Sequence, residues 1–111
     1  MSANPEEIRR RESAAREHIK SVYGTSDDEF GATLFVSQHL AEIDAAYWSK
    51  ILETGKPEPS DVLKSLVLRS HWGGDDEIEN FDFTLPDEVT DYIICVTFSD
   101  DGSVAGLSME S

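Results

Sequence analysis

Trp72 stands beside His71 and just before a run of acids, Asp75, Asp76, Glu77 and Glu79. An aromatic anchor ringed by carboxylates has the makings of a protein-interface hot spot. The same carboxylates offer the clustered oxygens that a hard cation such as calcium takes, but the EF-hand loop spacing is absent and a solvated loop accounts for them without a ligand. His39-x-x-Glu42 has the spacing that puts an imidazole and a carboxylate on one helical face, as a metal pair would need. Metal sites take about three or four ligands, and only His18 and His71 add further imidazoles, so the pair reads as helix surface. Cys95 lies in the most apolar stretch with no His or Lys nearby in sequence, where a cysteine behaves as a small hydrophobe and a poor nucleophile.

Other catalytic signatures are missing. There is no Gly-x-Ser-x-Gly, and Gly73-Gly74 is followed by acids that would repel a phosphate. Among 23 acids any carboxylate pair is uninformative. The expectation is a non-enzyme, with no catalytic residue, no metal site and no cofactor.

Charge carries more information. Nine Lys and Arg against 23 Asp and Glu leave a net −14. Residues 1–23 hold five bases and four acids, net +1, whereas residues 24–111 hold four bases and 19 acids, net −15. After Arg69 there is no base at all, and 11 acids follow. Such a field disfavours nucleic acid and anionic membrane, and it attracts a basic protein or a cation. A surplus of acid also keeps a small protein soluble, which is the plainer use of it.

The chain has 111 residues, the size of one domain, with 39% apolar and 29% charged residues, a globular composition. A single cysteine excludes an internal disulfide framework and fits a reducing compartment. The first 25 residues hold no apolar run resembling a signal peptide, and no stretch approaches the length of a membrane span. A cytoplasmic protein is expected.

The elements that position these residues follow from periodicity. Asn4-Pro5-Glu6-Glu7 starts a helix over 5–23, with Ile8, Ala15, Ile19 and Val22 as a thin apolar stripe. So thin a stripe predicts packing at the domain edge or against another chain. Asp27-Asp28-Glu29 offers a second start that Gly31 weakens, and a helix period runs from Leu34 to Thr54, with Asp44 capping a fresh start inside it. Lys56-Pro57-Glu58-Pro59 turns the chain, and Ser60-Asp61 opens a short helix. Beyond about residue 65 the pattern is β: 66–72, then 78–85 with Phe81, Phe83 and Leu85 alternating against Asn80, Asp82 and Thr84, then 92–98, apolar on both faces, then 103–109. Asp100-Asp101-Gly102 is a hairpin turn. Connections this short make the sheet antiparallel.

The expected fold is therefore α+β: one domain, 1–111, with two to four N-terminal helices over 1–65 packed on one face of an antiparallel four-stranded meander over 66–111. The other face should present Asn80, Asp82 and Thr84 to solvent beside Thr97 and Ile93, with Asp87, Glu88, Asp91, Asp100 and Asp101 at the strand ends. Trp72, Asp75, Asp76, Glu77, Glu79, Asp82 and Asp91 are the candidate partner-binding residues. The plainer expectation for Trp48 and Trp72 is that both fill the core.

Val89-Thr90-Asp91-Tyr92, the run Val96-Thr97-Phe98-Ser99-Asp100-Asp101-Gly102 and the ending Leu107-Ser108-Met109-Glu110-Ser111 resemble a family of small bacterial proteins. That family is catalogued as a domain of unknown function and occurs in short cytosolic reading frames. The resemblance covers residues 78–111 well and the helical half loosely. It implies an α+β fold with a C-terminal antiparallel sheet, implies no activity and carries over no catalytic residue. Three functional classes remain: a module that binds a basic protein, such as an immunity or inhibitor protein for a nuclease toxin whose cleft expects phosphate; a housekeeping domain that dimerises through its sheet edge or the 5–23 stripe; and a weak divalent-cation binder.

Overall fold

The computed structural model describes residues 4–74 and 77–110. Helices α1 (Pro5–Val22), α2 (Ala32–Glu42), α3 (Ala45–Leu52) and α4 (Pro59–Ser65) precede strands β1 (Val67–Trp72), β2 (Asn80–Thr84), β3 (Ile93–Phe98) and β4 (Val104–Glu110). The strands pair antiparallel in chain order, β1-β2-β3-β4, so the α+β meander expected from the periodicity is the fold adopted.

α1 begins as its sequence dictates. Asn4 Oδ1 accepts the Glu6 N–H at 2.7 Å, Pro5 sits in the first turn, and Glu6 and Glu7 face the positive end of the helix dipole. Its stripe is used inside the fold and not at an edge: Ala15 and Ile19 are buried, and the helix packs against α2, α4 and β4. Two arginines widen the stripe. Arg11 donates to Ile78 O at 2.8 Å and lies 5.4 Å above the Phe98 ring, while Arg16 donates to Leu66 O at 2.7 Å and lies 5.0 Å above Phe83. Each buries its aliphatic stem and satisfies a backbone carbonyl with its head.

The acids at 27–29 do not start α2. Ser26–Asp28 form one 3-10 turn, and Asp28 then caps α2 from a distance. Its Oδ1 accepts the Ala32 N–H at 3.1 Å, and its Oδ2 accepts the Thr33 N–H at 2.8 Å and the Thr33 hydroxyl at 2.9 Å. A Cβ at Gly31 would run into the Asp28 carboxylate and the Leu107 side chain, which is why the residue between turn and helix is glycine. Asp44 does cap α3, accepting the Tyr47 N–H at 3.2 Å. α4 opens at Pro59, one residue earlier than expected, with the Glu58 N–H donating to Asp61 Oδ2 at 3.0 Å.

β1 carries the irregularity that matters most. Leu68 pairs with Phe83 and Ser70 with Asp82, so Arg69 is the extra residue of a bulge. The bulge inverts the phase of the strand: Leu68 and His71 lie beside Phe83 and Phe81, while Ser70 and Trp72 lie beside Asp82 and Asn80. The helices cover the phenylalanine face, where Phe81, Phe83, Ile94 and Val96 join Phe35, Val36, Trp48 and Val62 in one buried cluster.

On the second face two expectations are corrected. Asn80, Asp82 and Thr84 point away from the helices but are not solvent-facing: each is 8% exposed, because β2 is central and neighbouring side chains on β1 and β3 close over it. Trp72 is not a core residue: it is 51% exposed, against 2% for Trp48.

Candidate partner-binding face

Register builds this face row by row. Trp72, Asn80, Thr97 and Gly106 form one row across the four strands, and Ser70, Asp82, Cys95 and Ser108 form the next. Trp72 is therefore the diagonal neighbour of Asp82, within reach of a large side chain. Its indole Nε1–H donates to Asp82 Oδ2 at 2.9 Å, and the Ser70 hydroxyl adds a longer contact to the same oxygen at 3.4 Å. Asp82 Oδ1 is buried with no hydrogen-bond partner among the described residues.

The groups around it are turned elsewhere. Asn80 Oδ1 accepts the Thr97 hydroxyl at 2.8 Å and faces the Cys95 sulfur at 3.8 Å. Burial pushes the Cys95 thiol up to about 12, and the Asp82 carboxylate directly across the ladder adds to the shift. A thiol held neutral in this way is no nucleophile at ordinary pH.

The remaining candidates divide between the two ends of the sheet. Glu77 and Glu79 are exposed on the loop that follows Trp72, and the His71 ring donates from Nδ1 to Glu77 O at 2.8 Å, tying that loop to β1. Asp75 and Asp76 lie outside the described residues. Asp91 is exposed at the opposite end, lining an open groove of about 450 Å³ with Val67, Arg69, Asp87, Glu88 and Thr90. That groove's acidic rim is held in shape: the Tyr47 hydroxyl donates to Pro86 O at 2.9 Å, Lys50 pairs with Asp87 at 3.3 Å, and Asp87 and Glu88 both take positive φ. So the face runs from Trp72, over the buried Asp82, to the acidic groove.

The other chemical candidates are absorbed by the fold. His39 is buried, and its two ring nitrogens are both engaged, Nδ1 donating to Phe35 O at 2.6 Å and Nε2 meeting the Thr90 hydroxyl at 2.9 Å. A carbonyl only accepts, so Nδ1 carries a proton. His39 thus joins α2 to the β2–β3 connection, and Glu42 is an exposed neighbour. Among the described residues no group of three or more His, Cys, Asp or Glu is placed to hold a metal ion. Nor is any described helix long and apolar enough to cross a membrane.

Three of the five bases of α1 are spent on backbone carbonyls of the fold. Arg10 reaches Gly102 O at 3.1 Å, Arg11 reaches Ile78 O and Arg16 reaches Leu66 O. Of the described acids after Arg69, Asp87 alone has an ion pair. The acid surplus of the sheet half is therefore left unneutralised by the fold.

Sequence reasoning placed Asn80 and Thr97 on this face with Asp82 but missed Ser70 and Cys95 as members of the polar patch. Counting pairs back from the Gly102 hairpin puts Cys95 opposite Leu107, and the observed partner Ser108 comes from a register shift between Thr97 and Phe98 that, like the Arg69 bulge, has no signal in the sequence. The fold and this face define an α+β protein whose helices cover one side of the sheet, with an indole–carboxylate pair on the other. No family model, no curated protein and no solved structure matches the chain.

Proposed function

We propose that this chain is a cytoplasmic protein-binding module that receives a basic protein on the sheet face opposite its helices, as an immunity or inhibitor protein for a basic effector such as a nuclease would. One observation carries the proposal: Trp72, half exposed, stands over the buried Asp82 on a face whose surrounding acids have almost no intramolecular cation. A rigid aromatic anchor beside an unneutralised field supplies both the desolvated centre and the long-range attraction of a charged interface. The test is capture of proteins from host lysate on the immobilised chain and on Trp72→Ala, washed at low and then high salt. A basic protein retained by the unsubstituted chain at low salt, released at high salt and lost from the variant supports the reading. Capture that is indifferent to Trp72 removes this face from it.

One observation favours a second reading, self-association. β4 is an edge strand of seven residues with Glu110 as its sole charge, the kind of edge that pairs with a second copy. Sedimentation across micromolar concentrations decides it, a monomer throughout excluding this reading.

A further inference from the structure

We propose that Asp82 is the receptor for an arginine side chain of the partner, with Trp72 as its gate and stacking platform. The inference rests on the reading of this face as a surface for a basic protein, and it names what that protein brings.

Asp82 is 8% exposed and sits in the second row of the face, yet its Oδ1 has no donor. Leaving a buried acceptor without a donor costs free energy, more so at a carboxylate, and folds that retain one gain something elsewhere. Among the described residues no nitrogen or oxygen donor fills the position. Ser70 and Trp72 both address Oδ2, and the Cys95 thiol, directly across the ladder, faces Asn80 Oδ1 and offers the carboxylate only a weak S–H donor. The α1 arginines that end near the sheet hold backbone carbonyls, and Arg69 lines the far groove. A strong donor is left to come from outside, and the field around it selects a cation.

Arginine fits this site better than lysine. A planar guanidinium stacks on an indole while directing N–H groups at a carboxylate, whereas an ammonium is a compact, strongly hydrated point charge. Trp72 offers the indole, exposed over half its surface. As the indole turns off Oδ2, a guanidinium takes both carboxylate oxygens.

The experiment uses the full chain, with the tripeptide N-acetyl-Gly-Arg-Gly-amide as probe, and follows the Trp72 indole N–H resonance by NMR, with the buried Trp48 resonance as an internal reference. Titration should move the Trp72 signal saturably and leave Trp48 in place. The peptide with citrulline, isosteric and neutral, should leave Trp72 unmoved, and the lysine peptide should bind more weakly. Asp82→Asn should weaken arginine binding about tenfold or more, as loss of a charged hydrogen-bond partner does, while Glu42→Gln, an equal loss of charge at an exposed position of α2, should change it less than about twofold. An unmoved Trp72 signal, or equal weakening by the two variants, overturns the receptor. The citrulline and lysine arms need no variant, so they test it even if Asp82→Asn misfolds. A chain that loses its captured basic protein on Trp72→Ala yet ignores the arginine peptide refutes this inference alone. A chain that takes the peptide and captures no basic protein refutes the proposed function alone.

Discussion

The Trp72 indole and the Asp82 carboxylate belong to different rows of the sheet, and they meet at 2.9 Å because the bulge at Arg69 turns Trp72 onto the face of Asn80 and Asp82. An unbulged β1 would keep Leu68 and Trp72 on one face, and Leu68 lies among the phenylalanines. The same residue that breaks the alternation of the strand therefore creates the pairing on its open side.

Trp72→Phe keeps the ring and removes the donor. Asp82 then loses its one short hydrogen bond, and a bond to a charged acceptor contributes about 1.5–3 kcal/mol. Water entering beside the smaller ring recovers part of that, so a loss of about 1 kcal/mol in urea unfolding is expected, with an unchanged denaturant slope. An unchanged midpoint would mean that solvent replaces the indole completely.

Cys95 gives a kinetic readout of the same rows. With its thiol pushed up to about 12, iodoacetamide at neutral pH should label it only through unfolding, at a rate that rises with urea. The raised value also fixes a sign. Between the ordinary thiol value of 9.0 and about 12 the unfolded chain ionises while the folded one holds its proton, so stability falls as pH rises through that window. Cys95→Ala should lack this fall. Rapid labelling of the folded chain at neutral pH would contradict the burial of the row.

Local chemistry made the fold legible. Asn4 before Pro5, Asp44 before the second half of the long helical stretch and Gly102 after two aspartates each act within three residues, and each element begins or turns where those residues require. The alternation of Phe81 and Phe83 also marks the helix-covered face correctly. The candidate site was less legible because its facts are not local. The burial of Asp82 depends on Ser70, Trp72 and Cys95, which reach it through register, and register passes through a bulge that an exposed arginine does not announce. Arg11 escaped notice for a related reason: at 8% exposed it is held by Ile78 O, 67 residues away in the chain.

Asp28 exemplifies a local signal put to a different use, and it carries the next prediction. It does not begin a helix of its own turn but caps α2 through three hydrogen bonds while buried at 6% exposure. Cap removal costs about 1 kcal/mol and up to about 2 in buried settings. Asp28→Ala should therefore lower stability by about 1–2 kcal/mol, and amide hydrogens of the first turn of α2 should exchange faster than those of α1. Faster exchange spread evenly over all four helices would show that Asp28 acts on the core and not as a cap.

Glu7 links the acid stability of the chain to the arginines that fasten α1 to the sheet. Its carboxylate accepts Arg10 Nε at 2.9 Å, Arg10 Nη2 at 2.8 Å and Arg11 Nε at 2.7 Å. The hydrogen bonds from Arg10 and Arg11 hold it down at about 2, against an ordinary value of 4.5. The folded value is the lower one, so the stabilisation is complete above 4.5 and is lost as pH falls from there toward about 2. The Arg10 side of this cluster is half exposed, which makes its share of the effect small and salt-sensitive. Arg11 adds a second consequence, because without Glu7 its guanidinium keeps Ile78 O but loses the group that orients it. Glu7→Gln should lower the melting temperature at neutral pH and flatten its dependence on pH between 4.5 and about 2, with the two proteins converging at the acid end. Melting curves that stay parallel over that range would show that the carboxylate adds no charge-linked stability and that Arg11 is positioned by Ile78 and Phe98 alone.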